Sequence, residues 1–170
     1  MIRLLSIGRF SYAKNYDNVP DICRRIVDYG MTDIKWFIIG YGDEKPLIRT
    51  KIALSGMENY VILLGKRTNP YPYIKSCDIY VQPSRYEGNS VTVREAQMLY
   101  KPVVVTDYPT ASSQIKDGKD GVIVPLDNQG CADGIVSLIK DKAKQEEIIA
   151  YLKTHDFGNE MEVEKLYKMI

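Results

Sequence analysis

With 170 residues, 45% apolar and 26% charged, the chain has the composition of one ordinary globular domain. Its net charge of +1 gives no overall attraction to nucleic acid or to membrane surfaces. The three cysteines lack disulfide or metal-ligand spacing, so we expect them to be reduced and packed. No apolar run is long enough to cross a bilayer and the first residues lack a signal-peptide pattern, which predicts a cytoplasmic protein.

Six short apolar runs are predicted to be strands, and most are followed by segments with helical spacing. The predicted strands cover residues 2–7, 33–39, 60–64, 79–82, 102–106 and 121–125. The predicted helices cover residues 16–29, 44–54, 91–99, 130–140, 144–155 and 160–169, with a helical turn at 73–76 and a loop or short helix at 110–116. This alternation predicts an α/β fold, a Rossmann-like doubly wound parallel sheet of about six strands with helices on both faces.

Doubly wound domains bind ligands beyond the carboxyl ends of their strands, so the loops after each strand are the first place to look. Gly8 and Arg9 follow the first predicted strand, and Lys14 comes shortly after them. An arginine fork and a lysine point charge suit a phosphate or diphosphate. Taken alone, the two cations are more typical of solvated loop residues.

The segment after the fourth predicted strand places two carboxylates around a strand-to-helix turn. Glu87 precedes Gly88-Asn89-Ser90, and Glu95 lies in the helix that follows. The turn offers free backbone N–H groups and the positive end of a helix dipole to an anion. Glu95 could accept hydrogen bonds from a ribose diol, and Glu87 would lie nearer the open mouth. These residues favour a nucleoside-diphosphate binder over an α/β domain without such a site.

The sequence lacks the residues that several other kinds of functional site require. Gly40-Tyr41-Gly42 follows the second strand and lacks a third glycine, which disfavours a dehydrogenase. Lys66 is not followed by Ser or Thr and is therefore not part of a P-loop. His155, the only histidine, is remote from these loops, so we expect a surface residue and no Ser–His–Asp triad. No cluster has metal-ligand spacing, which predicts no metal site.

Six motifs in a fixed order resemble the C-terminal donor-binding domain of GT-B glycosyltransferases, specifically the retaining family 4. They lie at residues 6–14, 39–43, 69–84, 87–95, 101–107 and 117–125, so the resemblance spans nearly the whole chain. It implies a transferase that moves a glycosyl group from a nucleoside-diphosphate sugar, of UDP or GDP type, to an acceptor in polysaccharide or glycoconjugate biosynthesis. It also implies that no metal or cofactor is used and that nucleic acid is not a partner.

The resemblance assigns roles by position. Glu87 would be the catalytic glutamate at the donor sugar, Arg9 and Lys14 would bind the diphosphate and stabilise the leaving nucleotide, and Glu95 would hold the ribose hydroxyls. Lys66 and Arg67 would border the base. The other substrate contacts that the resemblance implies are Gly8, Gly40, Gly88 and the amides of Asn89, Ser90 and Val91.

Three further residues near these motifs, Cys77, Tyr80 and Tyr86, are expected to pack in the interior rather than bind substrate. The family often has an aromatic residue and another glycine after Gly88, where this chain has Asn89 and Ser90. The donor sugar is therefore left open.

We expect residues 1–155 to form the donor domain and residues 156–170 a C-terminal helix, with the N-terminal acceptor domain absent and the isolated domain inactive alone. The resemblance implies that the missing domain is its partner and that the full-length enzyme works in the cytoplasm or at the inner face of the membrane. Two alternatives stay open: a non-catalytic nucleotide-diphosphate-binding module, and a sugar-nucleotide epimerase of the same architecture. The single remote His155 disfavours the epimerase.

Overall fold

Six parallel strands form a sheet with the spatial order β3-β2-β1-β4-β5-β6 in the computed structural model, which describes residues 1–155 and 168–169. The strands are β1 Ile2–Ile7, β2 Ile34–Ile39, β3 Val61–Gly65, β4 Ile79–Gln82, β5 Val103–Thr106 and β6 Val122–Val124. The helices are α1 Val19–Asp28, α2 Lys45–Ser55, α3 Tyr71–Ser76, α4 Val91–Met98, α5 Ala111–Gln114, α6 Asn128–Lys140 and α7 Lys142–Thr154. This doubly wound α/β architecture confirms the predicted fold class.

Alternate residues of the strands enter two separate cores, because successive side chains of a strand point to opposite faces. Trp36 of β2 belongs to the core that also contains Ile22 of α1 and Ile135 of α6. Tyr80 of β4 belongs to the second core, together with Val93 of α4. Both faces of the sheet are therefore buried, which explains why the strands are apolar runs and do not alternate with polar residues.

A buried polar relay ties the three central strands together. Trp36 Nε1 donates to Ser6 Oγ at 2.9 Å, and Ser6 Oγ donates to the Val81 carbonyl at 2.6 Å. Ser6 is fully buried, so its hydroxyl needs these partners to avoid an unpaired polar group. The relay holds β2, β1 and β4 side by side just below their carboxyl ends.

Helix boundaries differ from the predicted ones where local capping decides them. The helix predicted from residue 16 begins at Val19, because Asn15 has φ 61° and a 3₁₀ turn covers Tyr16–Asn18. α6 and α7 begin two residues earlier than predicted, since the carboxylates of Asp127 and Asp141 accept hydrogen bonds from their first-turn amides. The helix predicted at residues 160–169 lies outside the described residues apart from 168 and 169.

The described helices are all too short or too polar to span a membrane. Cys23, Cys77 and Cys131 are buried free thiols, as predicted.

The loop after β2 packs directly on the loop after β1. A Cβ added to Gly40 would lie 1.9 Å from the Gly8 carbonyl oxygen, and Gly40 has φ 155°, a value that side chains rarely adopt. Phe10 N donates to the Tyr41 carbonyl at 2.7 Å, which fixes the two loops relative to each other. Only glycine permits this approach.

We therefore expect Gly40→Ala to lower the free energy of unfolding by about 2–4 kcal/mol, since backbone rather than a flexible side chain must move. Gly88→Ala is the matched loop control, because a Cβ at Gly88 meets nothing within 4 Å. Urea titration of both variants checks this. Equal stability of the two variants would contradict the close packing of the loops.

Candidate functional site

The candidate site lies where β1 and β4 are neighbours, at the point where the strand order reverses. The loop after β1 contains Gly8 and Lys14, and the loop after β4 contains Glu87. Arg85 N donates to the Ala13 carbonyl at 2.8 Å, so the two loops touch directly. A crevice at such a switch point is the usual ligand site of an open α/β sheet.

Lys14 and Glu87 form an ion pair across this crevice, with Nζ and Oε1 2.5 Å apart. Their side chains are 23% and 8% exposed, so the carboxylate is almost withdrawn from water. The same Oε1 accepts from Ser84 Oγ at 2.6 Å and from Gln82 Nε2 at 3.0 Å. Three donors thus fix one carboxylate oxygen.

Arg9, in the same loop as Lys14, is exposed and makes no hydrogen bond or ion pair with any residue of the described part of the chain. Gly8 leaves room for Lys14, because a Cβ there would lie 3.2 Å from Lys14 Cε and 2.8 Å from the Tyr16 hydroxyl. Both predicted cations therefore lie in the loop after β1, where Lys14 is paired with Glu87 and Arg9 is exposed to solvent.

The turn before α4 is held by a side chain that sequence analysis did not single out. Gln114 of α5 accepts from Ser90 N at 3.1 Å and donates to Ser90 O at 2.7 Å. The Ser90 amide is thus paired with a protein side chain in this structure, and its contact with the sugar and phosphates stays a prediction. Gly88, Asn89 and Val91 are exposed around it. The Ser90 hydroxyl caps α4 by accepting from Val93 N at 3.4 Å.

Glu95 lies on α4, half-buried beside α3. Its Oε1 accepts a hydrogen bond from the Tyr71 hydroxyl at 3.0 Å. Loss of water around the carboxyl raises the pKa of Glu95, and the Tyr71 hydrogen bond only partly offsets this. Glu95 therefore carries a desolvated carboxylate that further donors would stabilise.

The exposed loop after β3 places its two cations over aromatic rings. Lys66 Nζ lies 5.1 Å from the centre of the Tyr41 ring, and the Arg67 guanidinium lies 5.9 Å from that of Tyr73. Tyr41 belongs to the glycine loop after β2 and is 56% exposed. Lys66 is thus beside the Gly40 loop, although no side chain joins it to the Lys14–Glu87 pair.

Three buried tyrosines, Tyr16, Tyr80 and Tyr108, lie near Glu87. Burial raises the pKa of the Tyr16 hydroxyl and of the Tyr80 hydroxyl, and the Tyr80 oxygen donates to Gln82 Oε1 at 2.9 Å. The hydroxyls of Tyr16 and Tyr108 are buried without a hydrogen-bond partner among the described residues. These phenols stay protonated and present an uncharged floor beneath Glu87.

Two of the three packing predictions are confirmed and one is wrong. Cys77 and Tyr80 are 4% and 0% exposed, but Tyr86 is 60% exposed. The run that contains Tyr86 follows Pro83 and is no longer part of β4, so its side chain is not forced into a core. His155 is exposed and stacks on Tyr151, as expected of a surface residue.

Gln82, Ser84 and Gln114 hold the site but were missed. Gln82 and Ser84 could have been noticed, since polar side chains at the end of a buried strand need partners. Gln114 gave no signal, because its contact with Ser90 joins segments far apart in the chain. Within the described residues no three His, Cys, Asp or Glu side chains are placed to hold a metal ion.

Comparison with known proteins gives the chain a family. Residues 2–155 match the family model described as "Glycosyl transferases group 1". The N-acetylgalactosamine-N,N'-diacetylbacillosaminyl-diphospho-undecaprenol 4-alpha-N-acetylgalactosaminyltransferase of Campylobacter jejuni is 29% identical over 140 residues, which cover 81% of this chain and 37% of that protein. The amylovoran biosynthesis glycosyltransferase AmsD of Erwinia amylovora is 30% identical over 123 residues, which cover 72% of this chain and 34% of that protein.

A solved structure of a Staphylococcus aureus TarM variant in complex with Fondaparinux, alpha-GlcNAc-glycerol and UDP superposes with a TM-score of 0.84 at 25% identity. The match covers 98% of this chain and 35% of the TarM chain. The chain thus spans about a third of the length of the relatives it matches. Since the family model covers nearly its whole length, the chain belongs to the group 1 glycosyltransferase family.

Proposed function

We propose that this chain is the C-terminal, donor-binding domain of a retaining GT-B glycosyltransferase of family 4. Residues 1–155 bind a nucleoside-diphosphate sugar, and a separate acceptor domain completes the active cleft. The observation that carries the proposal is the Lys14–Glu87 pair at the β1–β4 switch point, with Arg9 free beside it. A fixed carboxylate and two cations at one crevice suit a ligand that has both a diphosphate and a sugar.

Arg9 and Lys14 bind the diphosphate in this proposal. As the bond from the sugar to the diphosphate breaks, negative charge grows on the leaving nucleotide, and two fixed cations stabilise it. Glu87 faces the sugar, where its carboxylate accepts from hydroxyls and opposes the positive charge that develops on the sugar ring. Ser84 and Gln82 position that carboxylate through Oε1.

Glu95 accepts hydrogen bonds from the two ribose hydroxyls. Its carboxylate has lost water, and Tyr71 supplies a single donor. A diol supplies two more donors at a fixed separation, so binding repays part of the desolvation cost. Lys66 and Arg67, in the loop after β3, border the base.

The named relatives support a UDP-type donor and a role in glycan synthesis. The TarM structure was obtained with UDP, and the curated relatives are named as transferases of N-acetylgalactosamine and of amylovoran biosynthesis. The greater length of these relatives supports a separate acceptor domain. We expect the complete enzyme to act in the cytoplasm without a metal ion.

We expect UDP to bind the domain with measurable heat in isothermal titration calorimetry, and Arg9→Ala to weaken it about tenfold to a hundredfold, the effect of losing a charge-assisted hydrogen bond. Because Arg9 has no hydrogen-bond or ion-pair partner in the described part of the protein, its removal breaks no hydrogen bond or ion pair there. Arg49→Ala, an exposed arginine of α2, is the matched control and keeps the wild-type affinity. If neither UDP nor GDP binds the wild-type domain, the donor site is wrong.

Glu95→Ala separates the ribose role from the phosphate role. We expect the variant to lose about tenfold in affinity for UDP, because the ribose hydroxyls lose a charged acceptor, and to bind inorganic pyrophosphate as the wild type does. Calorimetry with both ligands measures this. Equal losses for UDP and pyrophosphate would refute the ribose assignment.

The raised pKa of Glu95 also predicts a pH dependence of stability. A carboxyl group whose pKa is higher in the folded than in the unfolded protein lowers the stability of the fold at pH values above the folded-state pKa. At pH values below the unfolded-state pKa the group is protonated in both states and has no such effect. We therefore expect Glu95→Gln to melt at a higher temperature than the wild type at pH 7, with the gap closing as the pH falls below 4. A gap that is constant with pH would show that the carboxylate charge is not responsible.

A further inference from the structure

A second cleft opens at the carboxyl ends of β4, β5 and β6, outside the residues assigned to the donor. Its volume is about 640 Å³, within the range of small-molecule sites. The lining includes Tyr12, Arg85, Tyr86, Asp107, Leu126 and Asn128. Tyr12 lies in the same loop as Lys14 and Tyr86 in the same loop as Glu87, so the cleft and the donor crevice are built from the same two loops.

Two aromatic side chains border this cleft and are 60% exposed, Tyr12 and Tyr86. Tyr12 is held in place: the Arg85 guanidinium lies 4.1 Å from its ring centre and donates to its carbonyl at 2.7 Å. Arg85 is itself fixed by two 3.0 Å hydrogen bonds to the Asp17 carboxylate. A large ring kept rigid and open to water is a preformed stacking surface rather than a loose surface residue.

The polar side chains that line the cleft are carboxylates and amides, and the arginine in the described lining is already paired with a carboxylate. The side chains of Asp107 and Asn128 make no hydrogen bond within the described part of the chain. Asp127, also in the lining, uses one oxygen to cap α6. Among the described lining residues the one cation is Arg85, which is neutralised by Asp17. The cleft therefore has net negative charge and disfavours phosphate or carboxylate ligands.

A sugar ring matches this combination of groups. The C–H face of a pyranose packs against an aromatic ring, and its hydroxyls need both donors and acceptors. Tyr86 and Tyr12 supply the rings, and Asp107 and Asn128 supply the polar partners. Stacking on the tyrosine rings would stabilise a bound uncharged sugar, whereas the carboxylates of the cleft would repel an anionic sugar.

We propose that this cleft is a subsite for an uncharged carbohydrate, the part of the acceptor glycan that lies nearest the donor. Its identity as an acceptor subsite rests on the proposed function, but carbohydrate binding at the cleft does not. The donor-binding domain would then contribute to acceptor recognition, which the proposed function otherwise leaves to the acceptor domain.

The test is a ¹H–¹⁵N NMR titration of the full chain with two uncharged tetrasaccharides, maltotetraose and N-acetylchitotetraose. We expect saturable shifts at the cleft residues with at least one of them, and a loss of about tenfold in affinity in Tyr86→Ala, as one lost stacking contact predicts. Tyr29→Ala, which removes an exposed tyrosine of the α1 C-terminus, is the matched control and keeps the wild-type affinity.

Separate titrations with UDP and with inorganic phosphate distinguish the two proposals. Shifts caused by UDP in Tyr86→Ala show that the variant is folded, and they test the donor site independently of the cleft. The carbohydrate subsite is overturned if neither tetrasaccharide produces saturable shifts at the cleft, if Tyr86→Ala binds as tightly as Tyr29→Ala, or if phosphate alone perturbs these residues.

Discussion

The Lys14–Glu87 ion pair is the contact on which the crevice depends. It joins the loop after β1 to the loop after β4, which only the reversal of strand order brings together. A nearly buried carboxylate is costly unless its oxygens are occupied, and here Lys14, Ser84 and Gln82 all donate to Oε1. Because desolvation of two charged groups offsets much of their attraction, the clearest effect of the pair is to fix where the charges of the crevice lie.

Charge around the crevice follows from this pairing. Lys14 and Glu87 cancel each other, whereas Arg9, in the same loop as Lys14, has no hydrogen-bond or ion-pair partner among the described residues. The phenols of Tyr16 and Tyr108 below add no charge, since burial keeps them protonated. In the proposed function, a diphosphate binds the unpaired Arg9 and a Lys14 that exchanges Glu87 for a phosphate oxygen. The same exchange would leave the Glu87 carboxylate oriented by neutral donors and open to a sugar.

The fold was predictable because its signals are local. Continuous apolar strands alternating with helices determine a parallel sheet, and the loops after the strands place Arg9, Lys14 and Glu87 at one edge. What was missed depends on contacts between distant segments. The two hydrogen bonds between the Gln114 side chain and the Ser90 backbone join α5 to the start of α4. Neither segment has a sequence pattern that predicts them. Asp127 and Asp141 are recognisable in the sequence as possible N-caps of α6 and α7. Where each helix begins is nevertheless decided in the folded protein, by which side chain reaches a first-turn amide.

Tyr86 was expected in the interior, but its side chain is exposed and lines the second cleft at the carboxyl ends of the strands. Arg85 and Tyr86 follow Pro83, beyond the last pairing of β4, where no neighbouring strand dictates which way a side chain points. Arg85 turns to Asp17 and Tyr12, and Glu87 turns to Lys14. One short segment thus contributes Glu87 to the crevice at the β1–β4 switch point and Arg85 and Tyr86 to the second cleft. Because one segment contributes to both places, a ligand that displaced it in one place would also move the side chains of the other.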